Sequence, residues 1–269
     1  MTINEQTTPA SEADYSAPPV TATFEGFLFD MDGTIIDSTD AVVKHWHTVG
    51  NEIGVPPEVI LETSHGRRSI DILKILAPEK ANWEYVRRME AVLPKLYGKD
   101  AVEIPGARAL LDALIHSTSS SSSSSRSNNG GGGGGAAAPW AIVTSGTEPL
   151  VHGWLGVLGL PEPEHLISAE SVENGKPDPA CYLLGLDRLE HPRDRAASVL
   201  VLEDSPAGIR AGKAAGCRVL GLVTSHTAEQ VASAEPDWIV QDLRSVRVVE
   251  SKGGAVTLEF SNGLVAKGQ

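Results

Sequence analysis

Short apolar runs along the chain stop on polar or acidic residues. Residues 24–30 (FEGFLFD) form one run, and residues 140–143 form a second that stops at Thr144-Ser145-Gly146. Residues 199–202 form a third and stop at Glu203-Asp204, residues 218–223 form a fourth, and a short fifth, 238–240, stops at Gln241-Asp242. Continuous runs of this length suit strands buried on both faces. Helix-like segments lie between them. The alternation predicts an α/β fold, a doubly wound parallel sheet with a Rossmann-like core and helices on both faces. Ligands gather outside the carboxyl ends of the strands in such sheets. Here those ends carry carboxylates, hydroxyls and glycines.

Residues 38–105 carry little strand signal. Ser38 or Thr39 is placed to cap a helix through Val42, Val43, Trp46 and Val49. Ile72, Leu73, Ile75 and Leu76 form a second helical face, and Trp83, Val86, Met89, Leu93 and Leu96 a third, interrupted by Pro94. The block reads as a helical insertion between the first strand and a core helix over 107–116. Residues 117–138 are low in complexity, with serines from 119 to 125, glycines from 130 to 135 and then three alanines. Such a stretch is expected to stay disordered, and lengthening a loop this far costs only about 1–1.5 kcal/mol of closure entropy. A glycine-rich phosphate loop needs Lys-Ser or Lys-Thr after the glycines, and neither follows. Residues 246–249 and 256–260, separated by Lys252-Gly253-Gly254, predict a terminal hairpin. Residues 1–23 read as a disordered tail and Phe24 as the start of the ordered chain.

Composition narrows the partners. The 269 residues hold 22 Lys and Arg against 35 Asp and Glu, a net charge of −13. An acidic surface argues against nucleic-acid binding and requires a local positive centre for an anionic substrate. Cys181 and Cys217 are the only cysteines, which excludes a disulfide scaffold or a cysteine-rich zinc site and fits a reducing compartment. No apolar run approaches the ~20 residues of a membrane span. The first 23 residues hold no Lys or Arg, so no basic leader is expected and a cytoplasmic location is.

Asp30-Met31-Asp32-Gly33-Thr34 is the most informative segment. Residues i and i+2 of a strand face one side, so two carboxylates are directed to one pocket, where a hard cation such as Mg²⁺ relieves their repulsion. The bland alternative is a polar strand end before a glycine turn. Glu203-Asp204 supplies a second acidic strand end, although Asp204 or Ser205 also suits the cap of the helix that follows. Thr144-Ser145-Gly146-Thr147 offers a hydroxyl and amides to an anion. Lys176, in Gly175-Lys176-Pro177-Asp178-Pro179, is held by prolines, although an exposed turn lysine would look the same. Asp37 and Asp40 fit a helix start. His45 and His47 lack the spacing of a helical metal pair and are assigned no chemistry.

In this order the motifs resemble the haloacid dehalogenase (HAD) superfamily: FDMDGT (29–34), Thr144, Lys176 and LEDSPAGI (202–209). The resemblance covers about residues 24–245. SHGRRSID (64–71), PWAIVTSGT (139–147), GKPDP, EDSPAGIRAGKAAGC (203–217) and VTLEFSNGLVAK (256–267) are similar to the fungal glycerol-phosphate and 2-deoxyglucose-6-phosphate phosphatases. The Ser/Gly insertion departs from that group. The resemblance implies a HAD-like α/β core over 24–37 and 106–245, an α-helical C1-type cap over 38–105, and a C-terminal hairpin and tail over 246–269. It also implies an Asp30 nucleophile with Asp32 as acid and base. Mg²⁺ is expected on Asp30, Asp32 and Asp204, with Glu203 beside it. Thr144, Ser145, Gly146 and Lys176 are expected to hold phosphate. His65, Gly66 and Arg68 of the cap are expected to contact substrate, with Arg67 as a second basic residue. The implied substrate is a small phosphorylated polyol or sugar, glycerol phosphate ahead of 2-deoxyglucose 6-phosphate; the sequence does not fix the oligomeric state, and a monomer is favoured. A β-phosphoglucomutase-like phosphotransferase and, from another class, a phospho-accepting signalling module stay open. Asp32 and Glu203-Asp204 disfavour carbon–halogen hydrolysis.

Overall fold

The computed structural model describes residues 13–64, 66–116 and 138–265. In chain order the strands are β1 (Val20–Phe24), β2 (Gly26–Phe29), β3 (Ile36–Asp37), β4 (Val102–Glu103), β5 (Trp140–Val143), β6 (His165–Ile167), β7 (Val199–Glu203), β8 (Arg218–Leu222), β9 (Trp238–Val240), β10 (Val246–Lys252) and β11 (Ala255–Phe260). The helices are α1 (Thr39–Ile53), α2 (Pro57–Ser64), α3 (Ser69–Leu76), α4 (Trp83–Glu90), α5 (Leu93–Tyr97), α6 (Ala107–His116), α7 (Glu148–Leu158), α8 (Ala180–Arg188), α9 (Pro206–Ala214) and α10 (Ala228–Ala232).

The main sheet has six strands in the order β6-β5-β2-β7-β8-β9, and every neighbouring pair is parallel. The chain winds outward from β2 in one direction through β5 and β6, then returns to wind through β7, β8 and β9. The crevice where winding reverses therefore lies at the end of β2, where doubly wound sheets place their ligands. Successive strand residues face opposite sides. Phe27, Phe29, Leu200 and Leu202 pack with Leu111, Val151 and Trp154 on one face. Leu28, Val199 and Val201 pack with Tyr182, Leu186 and Ile209 on the other. Burial on both faces explains why these strands read as unbroken apolar runs.

The helices α1 to α4 enclose a separate apolar cluster that includes Trp46, Val49, Ile60, Ile70, Leu73, Val86 and Met89. This is the expected helical cap, with an interior of its own. Within it, Ile75 and Leu96 are 72% and 64% exposed, so neither belongs to the buried faces their spacing suggested. Pro94 separates the third stretch into α4 and α5, as its position in the first turn of α5 requires. Ser38 begins α1 without a side-chain cap bond.

The terminal hairpin forms with Gly253 and Gly254 at its turn, where both have positive φ, 62° and 81°; two such residues suit a tight hairpin turn. It joins an unforeseen β1 in a three-stranded antiparallel sheet, order β1-β11-β10. The ordered chain therefore starts before Phe24, and residues 13–23 are not an irregular tail throughout. β1 escaped notice because Val20-Thr21-Ala22-Thr23 has one weak apolar face, buried only at Phe24. The edge strand β6 was also unmarked, being three residues long and only partly buried. Residues 1–12, most of the low-complexity insertion (117–137) and residues 266–269 lie outside the described residues; Ala138, counted with the insertion, is buried in the core. Among the described residues no helix is long and apolar enough to cross a membrane.

Candidate active site

A cavity lies between the carboxyl ends of β2, β5 and β7 and the cap. Asp30, Asp32, Thr144, Gly146 and Asp204 line it from the sheet, and Val42, His45, Trp46, Arg67, Ser69 and Glu90 line it from the cap. Asp30 follows β2, Thr144 follows β5 and Glu203-Asp204 closes β7, so parallel strand pairing alone brings residues distant in sequence to one edge. The turn after β2 depends on Gly33. Its φ is +88°, and a Cβ there would stand 2.1 Å from Asp204 Oδ2. Any side chain would push the second acidic motif away from the first.

Lys176 is the centre of the buried charge network. Its ammonium donates to Asp30 Oδ1 at 2.6 Å, Glu203 Oε1 at 2.6 Å and the Val143 carbonyl at 3.2 Å. Lys176 is not a surface turn residue; it is 7% exposed. Glu203 is fully enclosed by donors. Oε1 also accepts from Tyr182 Oη at 2.9 Å, and Oε2 accepts from the Asp204 and Ser205 amides and the Ser205 hydroxyl at 2.9–3.1 Å. A Cβ on Gly208 would stand 1.6 Å from Glu203 Oε1, so the first turn of α9 is built around this carboxylate. Ser205 also caps α9, accepting from Gly208 N at 3.1 Å. The cap expected of this segment is therefore made by Ser205, and it leaves the Asp204 carboxylate free of capping duty.

Burial pushes Asp30 up to about 7, opposed by Lys176 and reinforced by Glu203 and Asp32. Burial, then the charges of Asp30 and Glu203, hold Asp204 well above its ordinary range. Asp32 is raised by burial and drawn down by Ser38, whose hydroxyl donates to Asp32 Oδ1 at 2.5 Å. Lys176 is depressed by burial, yet Asp30 and Glu203 hold it above its ordinary value. The network has more negative than positive charge. Asp30, Glu203 and Asp204 bring carboxylate oxygens within 4.8 Å of one another, all buried. An oxygen-only donor set with surplus negative charge fits a hard divalent cation. Because Glu203 already accepts five hydrogen bonds, Asp30 and Asp204 are the carboxylates better placed to hold one.

Thr144 Oγ1 accepts from Gly146 N at 3.0 Å, which leaves its hydroxyl proton to a ligand. Ser145 Oγ donates to the Gly66 carbonyl at 3.0 Å, so this hydroxyl joins core to cap. Gly66, at φ +71°, approaches Ser205 so closely that a Cβ would lie 3.0 Å from it. Arg68 is a correction. Its Nε and Nη2 donate to Asp71 at 2.7 and 3.0 Å, and Nη1 and Nη2 donate to the carbonyls of Ala169, Val172 and Glu173 at 2.8–3.2 Å. All five guanidinium donors are engaged, so Arg68 staples the cap to the loop before Lys176 and has none left for substrate. Exposed Arg67 lines the cavity instead. His65 lies outside the described residues.

Sequence reading missed Glu90. Its carboxylate accepts from Ser69 Oγ at 2.6 Å and from Thr147 N, at the start of α7, at 2.8 Å. Burial pushes it up to about 7, against those hydrogen bonds and with Asp32 adding. The signal was available: Glu90 lies four residues after Val86, on the apolar face of α4, where an unpaired charge is costly. Tyr182, buried against Glu203, was hidden because an aromatic on a core helix reads as packing.

Two family models described as haloacid dehalogenase-like hydrolase match residues 27–127 and 135–216. Glycerol-1-phosphate phosphohydrolase 2 of Saccharomyces cerevisiae is 36% identical over 256 residues, covering 93% of this chain and 95% of that protein. 2-Deoxyglucose-6-phosphate phosphatase 1 of the same organism is 31% identical, covering 88% and 95%. A solved HAD hydrolase, family IA, variant 3 from Entamoeba histolytica shares the fold with a TM-score of 0.64 at 20% identity, covering 82% of this chain and 95% of that one.

Proposed function

The chain belongs to the haloacid dehalogenase-like hydrolases, and from that premise we propose that it is a Mg²⁺-dependent phosphatase of small phosphorylated polyols or sugars. Glycerol phosphate is the first candidate substrate and 2-deoxyglucose 6-phosphate the second, as the names of its relatives suggest. The observation that carries the reading is the convergence of Asp30 and Asp204, at the ends of adjacent strands in one cavity, with the buried Lys176–Glu203 pair behind them.

Asp30 is the nucleophile. Its carboxylate attacks phosphorus, a new O–P bond forms and the bond to the alcohol oxygen breaks. Asp32 gives its proton to the departing alkoxide; burial, which raises its carboxyl, favours the protonated form this step needs. Ser38 holds that carboxyl in place. Asp32 then takes a proton from water, the water oxygen attacks the aspartyl-phosphate, and the bond to Asp30 breaks to release inorganic phosphate. Lys176 balances the charge of Asp30 and of the entering phosphate oxygens, and Glu203 fixes its position. The Thr144 hydroxyl and the Ser145 amide receive the remaining oxygens, while the Gly146 amide, expected to bind phosphate as well, is spent on Thr144 Oγ1 and holds that hydroxyl in place. Asp30, the Asp32 main-chain carbonyl and Asp204 would hold Mg²⁺, which would supply positive charge to screen the nucleophile and stabilise the transferring group.

The test is a phosphate-release assay over phosphorylated polyols and sugars with Mg²⁺ present or chelated. Release is expected only with the metal, and Asp30→Asn is expected to lower kcat by at least about a thousandfold, ~4 kcal/mol, with an unchanged melting profile. Normal turnover by Asp30→Asn, or isomerisation of a sugar phosphate without phosphate release, overturns the reading.

A further inference from the structure

His45 occupies the second turn of α1 and lines the same cavity as Asp30 and Asp204. It is 5% exposed, and its Nε2 is buried with no hydrogen-bond partner. Among the described residues Thr34 and Trp154 also carry a buried polar atom without a partner, and neither lines the cavity. Burial alone lowers His45 to about 4, so the ring is neutral at physiological pH, donating from one nitrogen and accepting at the other. An unsatisfied buried imidazole is a cost to the fold. Its ring contact with Trp46, centroids 5.6 Å apart, needs only a ring, which a phenylalanine would supply.

Val42, Trp46 and Leu93 give the cap side of the cavity an apolar part, beside the polar Ser69, Glu90 and Arg67. A carbon skeleton fits the apolar part, and a neutral imidazole on the same side suits an uncharged polar group on the ligand. The ring torsion of histidine is soft and roughly twofold; a half-turn exchanges Nε2 with Cε1, so the enclosed nitrogen is not confined to one place. Resting on the phosphatase reading above, we propose that His45 is a specificity-determining residue that hydrogen-bonds a hydroxyl of the alcohol half of the substrate, selecting phosphorylated polyols over alkyl phosphates of the same length.

The experiment compares glycerol 1-phosphate with propyl phosphate, which has the same carbon chain without free hydroxyls. In wild type the kcat/KM ratio is expected to favour the polyol ester. His45→Phe is expected to reduce that ratio about five- to tenfold, mainly through KM, the loss of one neutral hydrogen bond. His45→Gln, which keeps a donor and an acceptor, is expected to recover part of it. The melting temperature of His45→Phe is expected to equal or exceed that of wild type. An unchanged ratio in His45→Phe, or a ratio lowered equally in His45→Gln, overturns the inference while phosphate release continues. If wild type releases phosphate from neither ester but does from a sugar phosphate, this inference falls and the phosphatase reading stands; if it releases phosphate from no ester of the panel, both fall.

Discussion

The two walls of the cavity treat their polar groups in opposite ways. On the sheet side the buried charges are engaged before a ligand arrives: Lys176 bonds Asp30 and Glu203, Glu203 is saturated by five donors, and Asp32 and Asp204 accept from the hydroxyls of Ser38 and Ser225. On the cap side Arg68 is turned away into a staple, Glu90 is held by two neutral donors, and His45 has no partner for Nε2. Groups that act on the phosphate must be in place before the reaction, because reorganisation during it would add to the barrier. Groups that recognise the variable half of a substrate gain by waiting for the ligand to complete them.

Lys176→Met tests the sheet side most severely. It leaves two buried carboxylates without their cation, and breaking such a network costs about 3–5 kcal/mol. Phosphate release is expected to fall at least a hundredfold, with a large drop in melting temperature at pH 8, followed by calorimetry. If the loss is no greater than that of a cap variant, the sheet side is not the preorganised wall.

The same contrast explains what was legible in the sequence. The parallel sheet was legible because strands buried on both faces admit almost no polar residue before their ends, so each functional group marks a boundary. Asp30, Thr144 and Glu203-Asp204 stand at such boundaries. The cap gives no comparable punctuation. Arg68 sat beside a recognisable motif, and only the structure shows its donors facing the loop around Val172. His45 lies within a helix, where a polar residue has no fixed meaning until the opposite surface is known, and Glu90 was marked only by its place on the apolar face of α4. Ser38 was expected at a helix start and is there, but its hydroxyl serves Asp32. β1 was missed because its partner, β11, lies more than 230 residues further along the chain.

Arg68→Ala sharpens the division on the cap side. Three main-chain carbonyls lose a charged donor, while Asp71 keeps its bond to Lys74 at 3.0 Å and Arg87 still joins the cap to Glu170. Removing a buried charged donor costs about 2–3 kcal/mol, and this loss is expected in chemical denaturation. Activity is expected to fall alike for every phosphate ester, because the staple steadies the loop that carries Lys176. A selective loss for one substrate restores Arg68 as a recognition residue and removes the distinction drawn between it and His45.

Glu90→Gln gives the smallest effect and concerns the charge of the cap wall. The glutamine carbonyl still accepts from Thr147 N, and its amide donates to Ser69 Oγ, so the cap-to-core link is kept. Only the titration is lost. Wild-type Glu90 titrates near 7 in the folded chain, against 4.5 for a free side chain. A raised carboxyl means that the folded state binds the proton more tightly. Its stabilising contribution is therefore complete below about 4.5 and lost as pH rises through 7. Glutamine does not follow that decline. The advantage of Glu90→Gln over wild type is expected to grow by about 2 kcal/mol between pH 5 and pH 8, roughly 4–8 °C in melting temperature. Both proteins are compared with chelator present, so that metal occupancy is the same. A difference that stays flat across this range means Glu90 is ionised throughout; Glu90 then adds a full negative charge beside Arg67 on the cap wall, and the contrast between a sheet side built on ionised groups and a Glu90 kept neutral among neutral donors fails.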